Sequence, residues 1–210
     1  MPNFEQFSSV IFNRLRSLVG QAIMLTGGRS AEQIYRSWAT SPDFPDILDR
    51  VQFYFGDERC VPPDHHASNY GMAMGTLFPN GMPKGVQSHR MEADGADVEA
   101  AANRYAALLP ETIDVLLLSV GEDGHIASLF PHGAALRETV RRVVPVTGPK
   151  PPFQRLTITS PVIQSARHVF VMALGEQKRA VYEEALRDPE DIDSIPARLV
   201  LNRTWIFDDD

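Results

Sequence analysis

The sequence contains a single cysteine, Cys60, and so cannot form an intramolecular disulfide bond. A lone thiol fits a reducing compartment. No stretch approaches the ~18 consecutive apolar residues that a transmembrane helix needs. Residues 1–16 include Glu5, Arg14 and Arg16 and lack the continuous apolar core of a signal peptide. We therefore predict a cytoplasmic protein without membrane association.

The sequence also lacks a basic run, because its 20 basic and 27 acidic residues are mixed and leave a net charge of −7. Proteins that bind nucleic acids neutralise phosphates with clustered lysine and arginine, so we expect no nucleic-acid partner. An anionic substrate would need a few local cationic contacts instead. No group of histidines and cysteines has metal-ligand spacing, which predicts no metal site.

Apolar runs alternate with segments of helical periodicity along the 210 residues. This alternation is typical of a parallel sheet covered by helices. We predict one domain over residues 1–210, a Rossmann-like three-layer α/β/α fold with a mostly parallel central sheet. The predicted strands are residues 22–25, 51–55, 114–120, 143–146, 156–159, 168–174 and 204–207. The predicted helices are residues 4–18, 30–38 with Ser30 as the N-cap, 67–77, 96–109 and 176–187.

Three loops follow predicted strands, at the edge of the sheet where α/β proteins bind ligands. In the first, TGGRS at residues 26–30, two glycines allow close backbone approach and the following helix start favours an anion. A strand-to-helix turn without a ligand explains the same residues. The second loop covers residues 56–62. Three charged residues, Asp57, Glu58 and Arg59, follow a strand of mostly bulky residues there. Arg59 suits phosphate or carboxylate, although a surface salt bridge to Asp57 or Glu58 is an alternative.

The third loop, GEDGHIASLFP at residues 121–131, places one histidine between a glycine turn and a small-residue stretch. His125 has the side chain suited to proton transfer near neutral pH. A lone histidine is more often structural. Its position after a central strand favours a functional role for His125.

Together the three loops resemble the 6-phosphogluconolactonase family, part of the glucosamine-6-phosphate isomerase/6-phosphogluconolactonase superfamily. The matching stretches are residues 25–28 (LTGG), 55–62 (FGDERCVP), 68–70 (SNY), 121–131, 150–152 with 155–157, and Gly175 with Lys178. The resemblance spans roughly residues 25–207. The chain departs from the family pattern at Ser119, usually glycine, and at Arg29, usually serine.

The resemblance implies hydrolysis of 6-phospho-D-glucono-1,5-lactone to 6-phosphogluconate, in the oxidative pentose phosphate pathway. It implies His125 as general base on water, with no covalent intermediate and no cofactor. Asp57 is the candidate for orienting His125 or its water. The substrate phosphate is assigned to Arg59 and Lys178, with Arg155 and the amides of the Gly27–Gly28 turn. We expect a small-molecule substrate as the partner, and a monomer.

Two other functions remain as alternatives. A glucosamine-6-phosphate deaminase or a pentose-phosphate isomerase has the same kind of fold. In such deaminases a phenylalanine-asparagine-glutamate segment follows the histidine, whereas here residues 127–131 read ASLFP. A non-catalytic sugar-phosphate sensor usually has an added DNA-binding segment or a lost histidine, and this chain has neither. Lactonase activity that depends on His125 separates the enzyme from the sensor.

Overall fold

The computed structural model of the protein describes residues 11–13 and 21–208. Residues 11–13 are helical, and Ile11 and Phe12 are buried in the core. The remainder of the predicted helix over residues 4–18 lies outside the described residues. No helix within the described part of the chain is long and apolar enough to cross a membrane.

A six-stranded sheet forms the centre of the fold, and all of its neighbouring strands run parallel. The prediction of a mostly parallel sheet is confirmed. The strands of this sheet are β1 (Gln21–Leu25), β2 (Val51–Phe55), β4 (Gln87–Ser88), β5 (Val115–Ser119), β8 (His168–Met172) and β9 (Thr204–Ile206). Their order across the sheet is β4-β2-β1-β5-β8-β9.

Helices cover both faces of the sheet, because alternate strand residues point to opposite sides. In β1, Ala22 and Met24 join one apolar cluster, while Ile23 and Leu25 join the other. The strands β5 and β8 divide in the same way, which confirms the three-layer arrangement. The α-helices are α1 (Arg29–Thr40), α2 (Asn69–Leu77), α3 (Val98–Leu108), α4 (Ser160–Ser165) and α5 (Glu176–Ala185).

A second sheet was not predicted. It contains β3 (Asp57–Arg59), β7 (Gln154–Ile158) and β6 (Val143–Thr147), in the order β3-β7-β6, and its pairs are antiparallel. The charged residues after β2 are therefore a short strand, where we had predicted a loop. Three polar residues carry no apolar alternation, so the sequence contained no signal for β3.

Two tyrosines fix the carboxyl ends of neighbouring strands. The Tyr35 hydroxyl accepts a hydrogen bond from the Thr26 amide at 3.0 Å and donates to the Thr26 carbonyl at 2.9 Å. The Tyr105 hydroxyl accepts from the Phe55 amide at 2.7 Å and donates to its carbonyl at 3.1 Å. Because both phenols are buried, they satisfy backbone groups that water does not reach. They hold the ends of β1 and β2, where two candidate loops begin.

Candidate active site

The candidate site lies at the carboxyl ends of the adjacent strands β2, β1, β5 and β8. In an open α/β sheet the loops beyond these ends converge on one crevice. The Gly27–Gly28 turn follows β1, Asp57 follows β2, His125 follows β5, and Lys178 lies in the helix after β8. The strand order thus brings together segments that are far apart in sequence.

His125 is oriented by Asp123, two residues before it. Nδ1 of His125 lies 2.5 Å from Oδ1 of Asp123, which also accepts the His125 backbone amide at 3.2 Å. Burial alone would raise the pKa of Asp123, but its hydrogen bonds with His125 and the charge of that ring lower the pKa below its ordinary value. Nε2 of His125 makes no hydrogen bond with the described residues. The ring is therefore held at one nitrogen and free at the other.

Glycines shape the loop around this pair. A Cβ on Gly121 would lie 2.1 Å from Nδ1 of His125 and 2.7 Å from Oδ1 of Asp123. The ring and carboxylate thus occupy the space that any larger residue at position 121 would need. Gly124 has a φ of 80°, a conformation that favours glycine, and its carbonyl accepts the Ala197 amide at 2.9 Å.

Asp57 does not bond His125, which corrects one part of our prediction for this residue. Its carboxylate is buried, with Oδ2 accepting from the Ser128 hydroxyl at 2.7 Å and Oδ1 accepting from Nδ2 of Asn69 at 3.1 Å. Among the described residues, the group bonded to the imidazole is Asp123. The prediction was wrong there because Asp57 follows a different strand, whereas Asp123 shares a tight turn with His125.

The alternative of a surface salt bridge between Arg59 and its acidic neighbours is not formed. Nη1 of Arg59 donates to the carbonyl of Ala67 at 2.7 Å. The Glu58 carboxylate instead accepts the amides of Arg59, Asn69 and Tyr70, at 2.7 to 2.8 Å, and the Ser68 hydroxyl at 3.0 Å. Glu58 therefore fixes the start of α2 against β3 and is a structural residue.

Arg59 and Arg155 are partners across the β3–β7 pair. Arg155 is 7% exposed and its guanidinium lies 5.3 Å from the centre of the Phe130 ring, which itself packs 4.9 Å from the His125 ring. Burial and the charge of Arg59 lower the pKa of Arg155, against opposing effects from Asp57 and Asp123. The prediction left the position of Arg155 open, and the structure places it beside the histidine loop.

Lys178 joins the first loop to the third. Its Nζ donates to the hydroxyls of Ser30, at 3.1 Å, and Ser119, at 3.2 Å. Burial, with the nearby charge of Arg29, lowers the pKa of Lys178 from its ordinary value of 10.5. Ser30 is not the N-cap of α1 as we had predicted. Gly28 holds that position with a φ of 95°, and the Ser30 side chain points to Lys178 instead.

The Cys60 thiol is not activated as a nucleophile. Burial and the charge of Glu58 raise the pKa of Cys60 to about 11, so the thiol stays protonated and weakly nucleophilic at neutral pH. Across residues 11–13 and 21–208, no three histidine, cysteine, aspartate or glutamate side chains are grouped as metal ligands.

Sequence reasoning missed three polar residues of the site. Asp123 gave a local signal, since an aspartate two residues before a histidine can bond back across a glycine turn. Asn69 belonged to a recognised stretch but had no assigned role. Ser128 also lay in a recognised stretch, residues 121–131, but nothing local linked it to its partner Asp57, which is 71 residues away in sequence.

The chain is similar to known proteins over almost its whole described length. The family model described as "Glucosamine-6-phosphate isomerases/6-phosphogluconolactonase" matches residues 5–207 of the chain. The chain belongs to this family. The 6-phosphogluconolactonase of Streptomyces coelicolor is 38% identical over 208 residues, which cover 89% of this chain and 79% of that protein. The human 6-phosphogluconolactonase is 37% identical over 203 residues, covering 90% of this chain and 78% of its own.

A solved structure of the family shows the same architecture. The 6-phosphogluconolactonase of Leishmania guyanensis superposes with a TM-score of 0.82 at 26% identity, covering 99% of this chain and 94% of that chain. The resemblance inferred from the three loops is thereby confirmed at the level of family and fold.

Proposed function

We propose that the protein hydrolyses 6-phospho-D-glucono-1,5-lactone to 6-phosphogluconate, with His125 as the general base. The observation that carries the proposal is the His125–Asp123 pair at the end of β5, with Nε2 of the ring left free. Membership of a family whose relatives are named 6-phosphogluconolactonases supports the substrate. The ASLFP sequence after His125 supports the lactonase over the deaminase alternative.

The proton path follows from the orientation of the ring. The Nδ1–H group donates to Asp123, so Nε2 carries the lone pair that accepts a proton from water. The resulting hydroxide attacks the lactone carbonyl carbon and forms a tetrahedral oxyanion. When the oxyanion collapses, the bond to the ring oxygen breaks and the imidazolium returns its proton to that oxygen. Proton transfer of this kind is typically worth ~10²–10⁴ in rate.

Binding of the substrate phosphate is assigned to Lys178, with the amides of the Gly27–Gly28 turn at the start of α1. A helix start favours an anion because its first amides have no acceptor within the helix. Arg59 and Arg155 supply further positive charge to the site. Lys178, Arg59 and Arg155 are thus the three local cations that an anionic substrate needs in a chain with a net charge of −7.

For Asp57 we propose an electrostatic role. Ser128 lies three residues after His125 and donates a hydrogen bond to the buried Asp57 carboxylate, which joins Asp57 to the loop that carries the base. A negative charge there stabilises the imidazolium that forms during proton transfer, while Asp123 sets the orientation of the ring.

We infer a cytoplasmic monomer for this enzyme. The reduced state expected of a lone cysteine supports the compartment. The exposed large apolar residues of the described chain lie in separate segments of the sequence, which supports a monomer; they are Met82, Leu108, Val140, Phe153 and Leu186. Light scattering at micromolar concentration tests the assembly, and a mass of twice 23.4 kDa would contradict it.

The substrate assignment is tested by offering three compounds to the same preparation. These are 6-phosphogluconolactone generated in situ, glucosamine 6-phosphate with ammonia release as the readout, and ribose 5-phosphate with isomerisation as the readout. The protein should accelerate opening of the lactone above its measured spontaneous rate, and neither of the other two compounds should react. Turnover of either other compound, without acceleration of lactone opening, would replace the proposal with that activity.

A further inference from the structure

The side chain of Asn69, the first residue of α2, lies between two loops of the site. It is 2% exposed. Its Nδ2 donates to the backbone carbonyl of Asp57 at 3.0 Å and to Oδ1 of the same residue at 3.1 Å. One amide group thus fixes both the backbone and the carboxylate of Asp57.

The other side of the same amide fills the space beside Gly27. A Cβ on Gly27 would lie 2.0 Å from Oδ1 and 2.4 Å from Cγ of Asn69. Gly27 does not have a positive φ, unlike Gly28, so its backbone conformation does not require glycine. The space taken by Asn69 therefore explains the glycine at position 27.

Asn69 has little freedom to move away from either neighbour. Its backbone amide donates to Glu58 at 2.7 Å, and Glu58 also accepts from Tyr70 and Ser68. On the far side of Asp57, the Ser128 hydroxyl holds the second carboxylate oxygen. The amide is thus set between a fixed helix start, a fixed carboxylate and the glycine turn.

We propose that Asn69 is a positioning residue that sets the Asp57 carboxylate and the Gly27–Gly28 turn relative to each other. It touches neither water nor lactone in this role and acts through Asp57 and the turn. The inference rests on the proposed function, because it assigns Asp57 and the turn to catalysis and phosphate binding. It also explains the glycine at position 27 by the space that Asn69 occupies, and not by close approach of the backbone to a ligand.

The test is a set of variants at the two positions, with lactone hydrolysis and thermal unfolding as readouts. Gly27→Ala should lose about 10²-fold in kcat/KM, since a displacement of about 1 Å in a site is enough for such a loss. Asn69→Ala removes the colliding atoms. The double variant Gly27→Ala/Asn69→Ala should therefore be no less active and no less stable than Asn69→Ala alone. If Gly27→Ala does not fold, recovery of folding in the double variant supports the same conclusion.

Asn69→Asp separates positioning from a purely structural role. It keeps the shape of the side chain but places a second carboxylate about 3 Å from that of Asp57. Ionising both carboxylates then costs additional free energy, because their negative charges repel each other. The acid limb of the pH–rate profile should move to higher pH in Asn69→Asp and stay in place in Asn80→Asp, a matched change at an exposed asparagine. Losses that add in the double variant, or an unchanged acid limb in Asn69→Asp, would overturn the proposal. Wild-type enzyme in the same assay tests the function separately, and the unfolding temperatures report the coupling of Gly27 and Asn69 even without lactonase activity.

Discussion

Oδ1 of Asp123 lies 2.5 Å from Nδ1 of His125, and this contact decides which nitrogen of the ring is free. A carboxylate only accepts hydrogen bonds, so it keeps the proton on Nδ1 and the lone pair on Nε2. The pKa of Asp123 is lowered, so its carboxylate stays ionised to a lower pH than an ordinary aspartate does.

Asp123→Asn should lower kcat by about 10²-fold or more, because the amide NH₂ can donate to Nδ1 and leave the proton on Nε2. Steady-state lactone hydrolysis checks the loss. The control is Glu122→Gln, which removes an equal charge from an exposed neighbour in the same loop. An equal loss of activity in the two variants would show that the charge of the loop matters and the orientation of the ring does not.

Gly121→Ala should lose about 10²-fold in kcat, since its Cβ would meet the His125 ring at 2.1 Å and push it from position. Gly75→Ala is the matched control. Gly75 is exposed within α2 and a Cβ there meets nothing within 4 Å. The control should keep full activity and gain about 0.5–1 kcal/mol of stability. Full activity in Gly121→Ala would mean that the ring position is not critical.

Binding of 6-phosphogluconate should weaken as the pH rises, beginning below the ordinary lysine pKa of 10.5. The pKa of Lys178 is lowered by burial and by the charge of Arg29, so its ammonium loses the proton at lower pH than a free lysine. Calorimetric titrations from pH 7 upward measure this. Arg29→Ser removes the like charge, so the loss of affinity should move to higher pH. Cys60, with a raised pKa of about 11, titrates later and does not obscure the transition.

Lys178→Met should abolish that pH-dependent component, whereas Lys84→Met, at an exposed lysine, should bind as the wild type does. An affinity that stays constant with pH in the wild type would remove Lys178 from the phosphate site.

Tyr105→Phe should destabilise the fold by about 1–3 kcal/mol, because it leaves the buried amide and carbonyl of Phe55 without their partner. For a chain of this size the melting temperature falls by roughly 2–4 °C for each kcal/mol. Tyr182→Phe is the control, since within the described residues the Tyr182 hydroxyl makes no hydrogen bond. A Tyr105→Phe melting temperature equal to that of the control would show that water replaces the phenol.

The sequence predicted the elements that carry strong apolar patterns. Strand β5 was recognisable because Val115 to Leu118 is buried on both faces of the sheet and reads as a continuous apolar run. Strand β3 was not, because its three residues are charged: the carboxylates of Asp57 and Glu58 accept hydrogen bonds and Nη1 of Arg59 donates one, so none of them adds an apolar pattern. The second sheet thus depended on pairing across about 100 residues, which no local pattern reports.

The same difference between local patterns and long-range contacts decided which site residues the sequence could predict. His125 and Asp57 were found as candidates in the loops that follow two predicted strands, whereas Lys178 was assigned only from the resemblance to the family. Partners across loops were not found, because the contacts of Asp57 with Ser128 and of Lys178 with Ser119 join residues 71 and 59 positions apart. Asp123 was overlooked although it is only two residues from His125, because the role of orienting His125 had been assigned to Asp57.

The role of His125 as the base is tested by comparing His125→Ala with the wild type in lactone opening and in 6-phosphogluconate binding. Spontaneous opening is subtracted in each assay. We expect the variant to lose about 10²-fold or more in enzymatic rate, the range that general-base catalysis supplies, while product affinity stays near the wild-type value. Undiminished hydrolysis by the variant would contradict the assignment of His125 as the base.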